Sequence, residues 1–250
     1  MNRTRIEWVP KAQMPGYTWN PLGWGCNGGC DYCYARRFAI RGLTTCWRCR
    51  AFIPHWDPER IMDPLRVRKP GRIFVQSMGD LFGPWNLDIW IRFILASIAE
   101  AGWHEFLLLT KHPEVMRRYS IPSNAWVGVS VSNQADADER IPLLLEIPAA
   151  HRFVSVEPML GRIDLTPHLF RTYTTSWGPG EDEWDYDIEA REGGLEWAII
   201  GAQTGPGAKP VNPEWVIDLS DQCQSAGVLV FHKNSLALRL PSGRWSRQVP

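Results

Sequence analysis

Cys26-Asn27-Gly28-Gly29-Cys30-Asp31-Tyr32-Cys33, running straight into Tyr34-Ala35-Arg36-Arg37, is the stretch around which this 250-residue chain is organised. Three thiols at Cys-x3-Cys-x2-Cys spacing share one short loop, with Gly28 and Gly29 inside it and Tyr32 just before the last cysteine. Spacing this close lets one loop wrap a single metal centre, and the glycines permit the positive φ that wrapping needs. A structural zinc site wants four ligands, and the loop offers three. A 4Fe-4S cluster takes four thiolates in its electron-transfer form, so three local cysteines suggest a cluster with one iron open to a substrate or cofactor. A zinc knuckle, or a structural cluster completed by a distant ligand, is the plainer alternative.

Length and composition agree with one α/β domain over 1–250, and 44% hydrophobic residues are enough for a substantial core. No run of roughly 18 apolar residues offers a membrane span, and Met1 to Glu7 has no signal-peptide core. Six cysteines, half of them in one loop, point to metal ligation in a reducing compartment, hence the cytoplasm. Formal net charge is zero, so there is no global nucleic-acid footprint. The charge is unevenly placed, however. Arg36, Arg37, Arg41, Arg48, Arg50, Arg60, Arg66, Arg68, Lys69 and Arg72 face only Asp57, Glu59 and Asp63, while acids dominate from Glu181 to Glu192. Two solvated faces would explain this; so would a basic rim that holds a phosphate-bearing substrate beside the metal loop.

Outward from the loop, the spacing predicts a short strand near Tyr17–Asn20 and a helix from Asp31 to Ile40 closed by Gly42. Residues 43–71 read as an irregular excursion carrying Cys46-Trp47-Arg48-Cys49. That pair is either half of a zinc or auxiliary cluster site, with His55 as helper, or a reduced pair without a metal. Strands follow at 72–77, 105–110, 125–131, 151–157, 196–201 and 228–232, alternating with helices at 87–98, 113–119, 136–145 and 213–226. Pro142 should disrupt its helix locally, and Cys223 shares an apolar face with Val216 and Leu219 as a core thiol. Residues 160–194 break the rhythm as an inserted hairpin or flap. Such alternation means parallel βαβ units, and no glycine-rich dinucleotide fingerprint follows any strand. The expected fold is therefore a partial (β/α)6-type TIM-like barrel with about six strands in its core.

In parallel α/β folds the C-terminal strand ends converge on the site. Here they carry Ser77-Met78-Gly79-Asp80, Thr110-Lys111, Ser130 to Asn133, Glu157-Pro158, Gly201 to Gly207 and His232-Lys233-Asn234. Lys111, Glu157, Gln203 and Lys233 are the candidate substrate-side groups.

The cysteine spacing, with Tyr32 as its aromatic, resembles the signature of the radical S-adenosylmethionine superfamily. The resemblance implies a 4Fe-4S cluster on Cys26, Cys30 and Cys33, whose open iron chelates S-adenosylmethionine, with Tyr32 near the adenine. Met78-Gly79-Asp80 is similar to the segment that binds the methionine amino group, which implies roles for Gly79 and Asp80. By the same resemblance Ser130 would meet the ribose, and Gly201 and Gln203 the adenine.

A closer resemblance covers nearly the whole chain. Trp19-Asn20-Pro21, Phe74 to Phe82, Leu109-Thr110-Lys111, Gly128 to Val131, Ala137 to Leu144, Phe153 to Gly161 and Gly205 to Ala208 look like an uncharacterised three-cysteine family common in phages and prophages. That family often has Gly-Glu-Ser where this chain has Ala202-Gln203-Thr204, so no acidic contact is implied there. The resemblance implies a radical enzyme served by a one-electron donor of flavodoxin or ferredoxin type, in the host cytoplasm if phage-encoded. A nucleotide, or a hypermodified base of phage DNA, is the expected substrate. Peptide or protein modification is the rival, and a non-catalytic metal-stabilised binding protein the alternative from another class.

Overall fold

The computed structural model of the chain describes residues 1–177, 186–236 and 244–250, and over 171–192 the backbone alone. The chain enters as β1 (Asn2–Arg3) and β2 (Gly16–Trp19), then passes through the cysteine loop into α1 (Tyr34–Ile40). Three single turns, α2 (Trp47–Arg50), α3 (Pro58–Ile61) and α4 (Asp63–Arg66), punctuate the expected irregular excursion. The regular part runs β3 (Arg72–Val75), α5 (Asp88–Glu100), β4 (Glu105–Thr110), α6 (Pro113–Met116), β5 (Ala125–Val131), α7 (Gln134–Glu146) and β6 (His151–Val156). An antiparallel hairpin of β7 (Phe170–Trp177) and β8 (Tyr186–Gly194) interrupts it, where an insertion was expected. The side chains of the acidic run from Glu181 to Glu192 lie outside the described residues. The chain then returns with β9 (Trp197–Ile200), α8 (Pro213–Ser225) and β10 (Leu229–His232).

The main sheet is mixed α/β and mostly parallel, with eight strands in the order β1-β2-β3-β4-β5-β6-β9-β10. Every pair is parallel except β1 with β2. Strand order follows the chain without a reversal, and the parallel strands β2 to β6, β9 and β10 are the runs read as strands in the sequence. β1 escaped the sequence reading because two polar residues show no periodicity.

The period-two alternation of buried strands splits the core in two. Ile73, Val75, Phe106, Leu108, Val127, Val154 and Val230 face one way, packing with Ile91 and Ile94 of α5, Ile141 and Leu144 of α7, and Val216 and Leu219 of α8. Phe74, Leu107, Trp126, Phe153, Trp197 and Phe231 face the other way, around Trp8. The Trp8 ring lies 4.8 Å from Phe74 on β3 and 5.9 Å from Trp197 on β9. The Arg72 guanidinium, also from β3, lies 4.8 Å from the Trp197 ring. A flat sheet would hold β3 and β9 roughly 19 Å apart, four spacings of about 4.8 Å. The sheet is therefore strongly curled about this aromatic face.

The curl does not close. The outer edge of β2 is taken by β1. That of β10 is taken by residues 246–248, through Phe231 paired with Arg247, His232 N to Ser246 O at 2.7 Å and Gln248 N to Val230 O at 3.0 Å.

Two expectations need correction. Pro142 sits inside α7 without ending it, since Ile141, Leu144 and Leu145 around it are buried and the Asn133 side chain caps the helix from Asp136 N at 3.0 Å. Tertiary packing outweighs the local penalty here. Arg72, counted with the basic rim, is fully buried and paired with Glu105 at the N-terminal ends of the strands. Among the described residues, no helix is long and apolar enough to cross a membrane.

Candidate functional site

The cysteine loop is fastened to the C-terminal ends of β2 and β3 by backbone contacts. Gly25 bridges Gly79 in parallel register, with Gly25 N donating to Met78 O at 3.2 Å. A Cβ at Gly79 would lie 2.3 Å from Gly25 O, so only glycine lets the two segments approach. Buried Gln76 braces the same junction: its amide donates to Gly23 O at 2.8 Å and its carbonyl accepts from Leu22 N at 3.2 Å. Asn20 Oδ1 accepts from Met78 N at 2.9 Å.

Each sulfur of the loop has a nitrogen donor. Gly28 N donates to Cys26 Sγ at 3.3 Å, Lys111 Nζ to Cys30 Sγ at 3.2 Å, and Arg36 N to Cys33 Sγ at 3.4 Å. The last contact makes Cys33 the N-cap of α1, which is why the helix starts at Tyr34 and not at Asp31. A Cβ at Gly28 would sit 3.3 Å from Cys26 Sγ and 4.0 Å from Cys30 Sγ, so the glycine keeps open the space those sulfurs flank. Burial, with the Asp80 charge adding to it, pushes the Cys26 thiol up to about 11. Such a thiol becomes a thiolate at neutral pH when a cation binds it. Donor set, hydrogen bonding and open space therefore fit a cluster held by three thiolates.

Lys111 ties this loop to the end of β4. Its ammonium donates to the Tyr32 hydroxyl at 2.7 Å, and that hydroxyl lies 3.1 Å from Ser132 Oγ, beyond β5. Burial works against the charge on Lys111, but the Tyr32 hydroxyl and Cys30 outweigh it and hold its pKa above the ordinary lysine value. Asp80 stands beneath. Its Oδ1 accepts from Thr110 Oγ1 at 2.6 Å and Phe82 N at 3.0 Å, and its Oδ2 from Lys111 N at 2.9 Å. Burial raises the Asp80 pKa despite these donors. Three donors leave this carboxylate one lone-pair position, so its first task is to hold the Thr110-Lys111 strand end.

A second group gathers at the ends of β6, β9 and β10. Lys233 and Glu157 form an ion pair. Gly201 lies against both: a Cβ there would meet Lys233 Cδ at 3.1 Å and Glu157 Cγ at 3.2 Å. Tyr34 links this group to the loop. Its ring is exposed, but its hydroxyl reaches inward to Ser77 O, where burial and then the Glu157 charge raise its pKa. Ser130 is buried at the end of β5, and its carbonyl accepts from Arg140 at 2.7 Å. Gln203 stands apart, its side chain accepting from Lys209 N at 3.1 Å within its own loop. The neighbouring Thr204 O instead receives Arg37 of α1 at 2.9 Å.

The structure thus joins Cys30, Tyr32, Lys111 and Asp80 in one network and Glu157, Gly201 and Lys233 in another. Ser132, Tyr34 and Arg37 were missed as site residues. Ser132 stood in a strand end already singled out and Arg37 in the basic run, whereas Tyr34 gave no signal beyond following the last cysteine. A hollow of about 250 Å³, lined by Trp103, Glu105, Trp126 and His151, opens at the opposite, N-terminal ends of the strands. The cysteine loop and both polar networks lie at the other end, the C-terminal ends of the strands.

A third constellation lies behind the loop. Cys46, Cys49 and His55 bring their ligand atoms within 4.8 Å of one another. The family model described as a protein of unknown function, DUF5131, matches residues 3–239, and the chain belongs to that family. No curated protein matches the chain, and no solved structure does.

Proposed function

We propose that this protein is a radical S-adenosylmethionine enzyme, with Cys26, Cys30 and Cys33 as the ligands of a 4Fe-4S cluster. The observation that carries the reading is the loop itself: three cysteines, each with a nitrogen donor on its sulfur, fastened by Gly25 and Gly79 where parallel strands end. Parallel strands in chain order, curled about Trp8 and Arg72, support a partial (β/α) barrel open along one side. Cys26, Cys30 and Cys33 would hold the cluster, and when bound it would supply the one-electron reduction by which S-adenosylmethionine is cleaved for hydrogen abstraction from an unactivated carbon.

The residues of this chain supply the setting. Lys111 places a positive charge against Cys30 and fixes the Tyr32 ring through its hydroxyl. Gly79 lets its backbone pack against Gly25, next to Cys26 in sequence, and the remaining Oδ2 lone pair of Asp80 is the acceptor assigned to the methionine ammonium. Ser130 is assigned to the ribose, Gly201 and the backbone near Gln203 to the adenine. The Glu157–Lys233 ion pair is assigned to the substrate side.

For the substrate we favour a nucleotide or nucleic-acid base. Arg36, Arg41, Arg48 and Arg50 are exposed on α1 and α2, and Arg48 lies 5.4 Å from the ring of exposed Trp47. No acid occurs between Arg36 and Trp56. Exposed guanidinium groups beside an exposed aromatic suit phosphate and base together. Arg60 and Arg66 are neutralised by Asp57 and Asp63, so the rim is narrower than the sequence count suggested. A flavodoxin- or ferredoxin-type donor would supply the electron, and the cytoplasm is the compartment these thiols suit.

Anaerobic reconstitution tests the reading. About four irons per chain are expected, with an electron paramagnetic resonance signal that changes on adding S-adenosylmethionine and release of 5′-deoxyadenosine under reductant. A chain that takes up no iron, or a signal indifferent to S-adenosylmethionine, would overturn it.

A further inference from the structure

We propose that Cys46, Cys49 and His55 hold a single zinc(II) ion, a second metal centre that does not depend on what the Cys26 loop binds. His55 Nε2 lies 3.5 Å from Cys46 Sγ and 3.8 Å from Cys49 Sγ. A tetrahedral zinc ion with its usual bond lengths sets sulfur and nitrogen ligands about 3.6 Å apart. The trio is therefore already spaced for one ion. A cubane, with bridging sulfides between its irons, holds its thiolates further apart than one ion does.

The imidazole is also turned for the task. His55 Nδ1 lies 2.8 Å from Ile53 O, so the Nδ1–H donates to that carbonyl and Nε2 keeps its lone pair towards the two sulfurs. A backbone carbonyl on the other ring nitrogen is the usual support of a metal-binding histidine. Trp24 N donates to Cys49 Sγ at 3.3 Å, the kind of N–H contact a metal thiolate accepts. Two sulfurs and an imidazole suit zinc and exclude magnesium or calcium as the resident ion. Cys49 and His55 are buried and Cys46 is half-buried, so the exposed side of the trio is the Cys46 side. With three protein ligands the ion would keep its fourth position for water, an open zinc site and not the closed four-ligand kind. Binding releases the two thiol protons to solvent, and zinc itself undergoes no redox change.

The position gives the centre a purpose. His55 N donates to Leu22 O and Asp57 N to Pro21 O, both at 3.2 Å. Added Cβ atoms at Gly23 and Gly25 would lie 2.2 Å from His55 Cε1 and 2.3 Å from Pro54 N. The 46–55 loop thus lies flush on the segment that leads into Cys26. Cross-linking it with zinc clamps that segment from behind.

The test uses the full chain with Cys26→Ala, Cys30→Ala and Cys33→Ala combined, titrated with zinc(II) and with cobalt(II) as spectroscopic probe. One ion per chain is expected, with the absorption of tetrahedral cobalt and thiolate-to-cobalt charge transfer. Adding Cys49→Ser or His55→Gln should weaken binding by at least about tenfold, while His55→Cys should keep the ion and strengthen the charge-transfer band. If the triple variant does not fold, the same substitutions at Cys49 and His55 are read as zinc per chain in the reconstituted, otherwise native protein. Absence of bound metal, cobalt spectra indifferent to Cys49→Ser and His55→Gln, or a Cys46–Cys49 disulfide in protein purified under reductant would overturn the proposal. Failure of the Cys26 loop to take up iron would leave this result untouched.

Discussion

The ammonium of Lys111 donates to the Tyr32 hydroxyl over 2.7 Å, joining the end of β4 to the cysteine loop across 79 residues of sequence. The same nitrogen reaches Cys30 Sγ. One side chain therefore sets both an aromatic ring and the charge beside the Cys30 sulfur. Lys111→Met keeps the stem and removes the charge. Groups that support a metal ligand typically contribute 10–100-fold in metal affinity, so iron retention against a chelator should fall by about that factor while the fold persists. Unchanged retention would reduce Lys111 to a packing residue.

The three loop cysteines should behave as a unit. Cys26→Ala, Cys30→Ala or Cys33→Ala should each abolish the iron signal after anaerobic reconstitution, since two thiolates do not hold a cubane. Iron analysis and electron paramagnetic resonance read this directly. A variant that keeps its full iron content would move the site elsewhere.

Asp80 carries two expected effects that separate cleanly. Losing a buried acceptor of three hydrogen bonds should lower stability by about 1–3 kcal/mol, seen in the urea midpoint of Asp80→Ala. If the free lone pair also receives the methionine ammonium, S-adenosylmethionine affinity should drop about tenfold to a hundredfold, at roughly 1.4 kcal/mol per factor of ten. Lost stability with unchanged affinity in cluster-loaded protein would assign the ammonium contact to another group.

His232 predicts an acid limit. Its Nε2–H donates to Ser220 Oγ at 2.8 Å, its Nδ1 accepts from Ser246 N at 2.9 Å, and Ser220 Oγ in turn donates to Val216 O. Burial first, then the Arg244 charge, depresses its pKa from 6.5 to about 4. The unfolded chain therefore binds the proton more readily than the folded one, and stability falls as pH drops from 6.5 towards 4. His232→Gln should flatten that part of a pH–stability curve. A native curve already flat over this window would contradict the assignment.

Charge reversal at Arg48 and Arg50 tests the substrate class. If these groups meet phosphates, DNA or nucleotide affinity should fall with salt by about one logarithmic unit per contact in duplex DNA. The double reversal should weaken binding and reduce that slope, with iron content unchanged. Binding that ignores salt would favour a peptide substrate.

The parallel α/β class was legible because β4, β5 and β6 are short apolar runs bounded by turn residues, and α5 repeats its apolar positions every three or four residues. The three-cysteine loop was legible because its ligands are local. Arg72 misled because counting charges along the chain cannot see Glu105, which meets it only after β3 and β4 pair in register. For Cys46 and Cys49 the spacing left a metal site with His55 and a reduced pair both open, for a related reason. Their partner comes from a loop, and the Ile53 carbonyl that turns the ring leaves no mark in the spacing.

The partners on the two outer edges of the sheet, β1 along β2 and residues 246–248 along β10, bear on how copies of the chain behave together. Strands as apolar as β4, β5 and β9 would make a bare lateral edge a template on which another copy could add its own strand. The edges that remain among the described residues are a two-residue strand and a short terminal segment, both polar, and short polar edges are poor templates. Copies of the chain therefore meet short, polar edges where β2 and β10 would otherwise offer longer apolar ones.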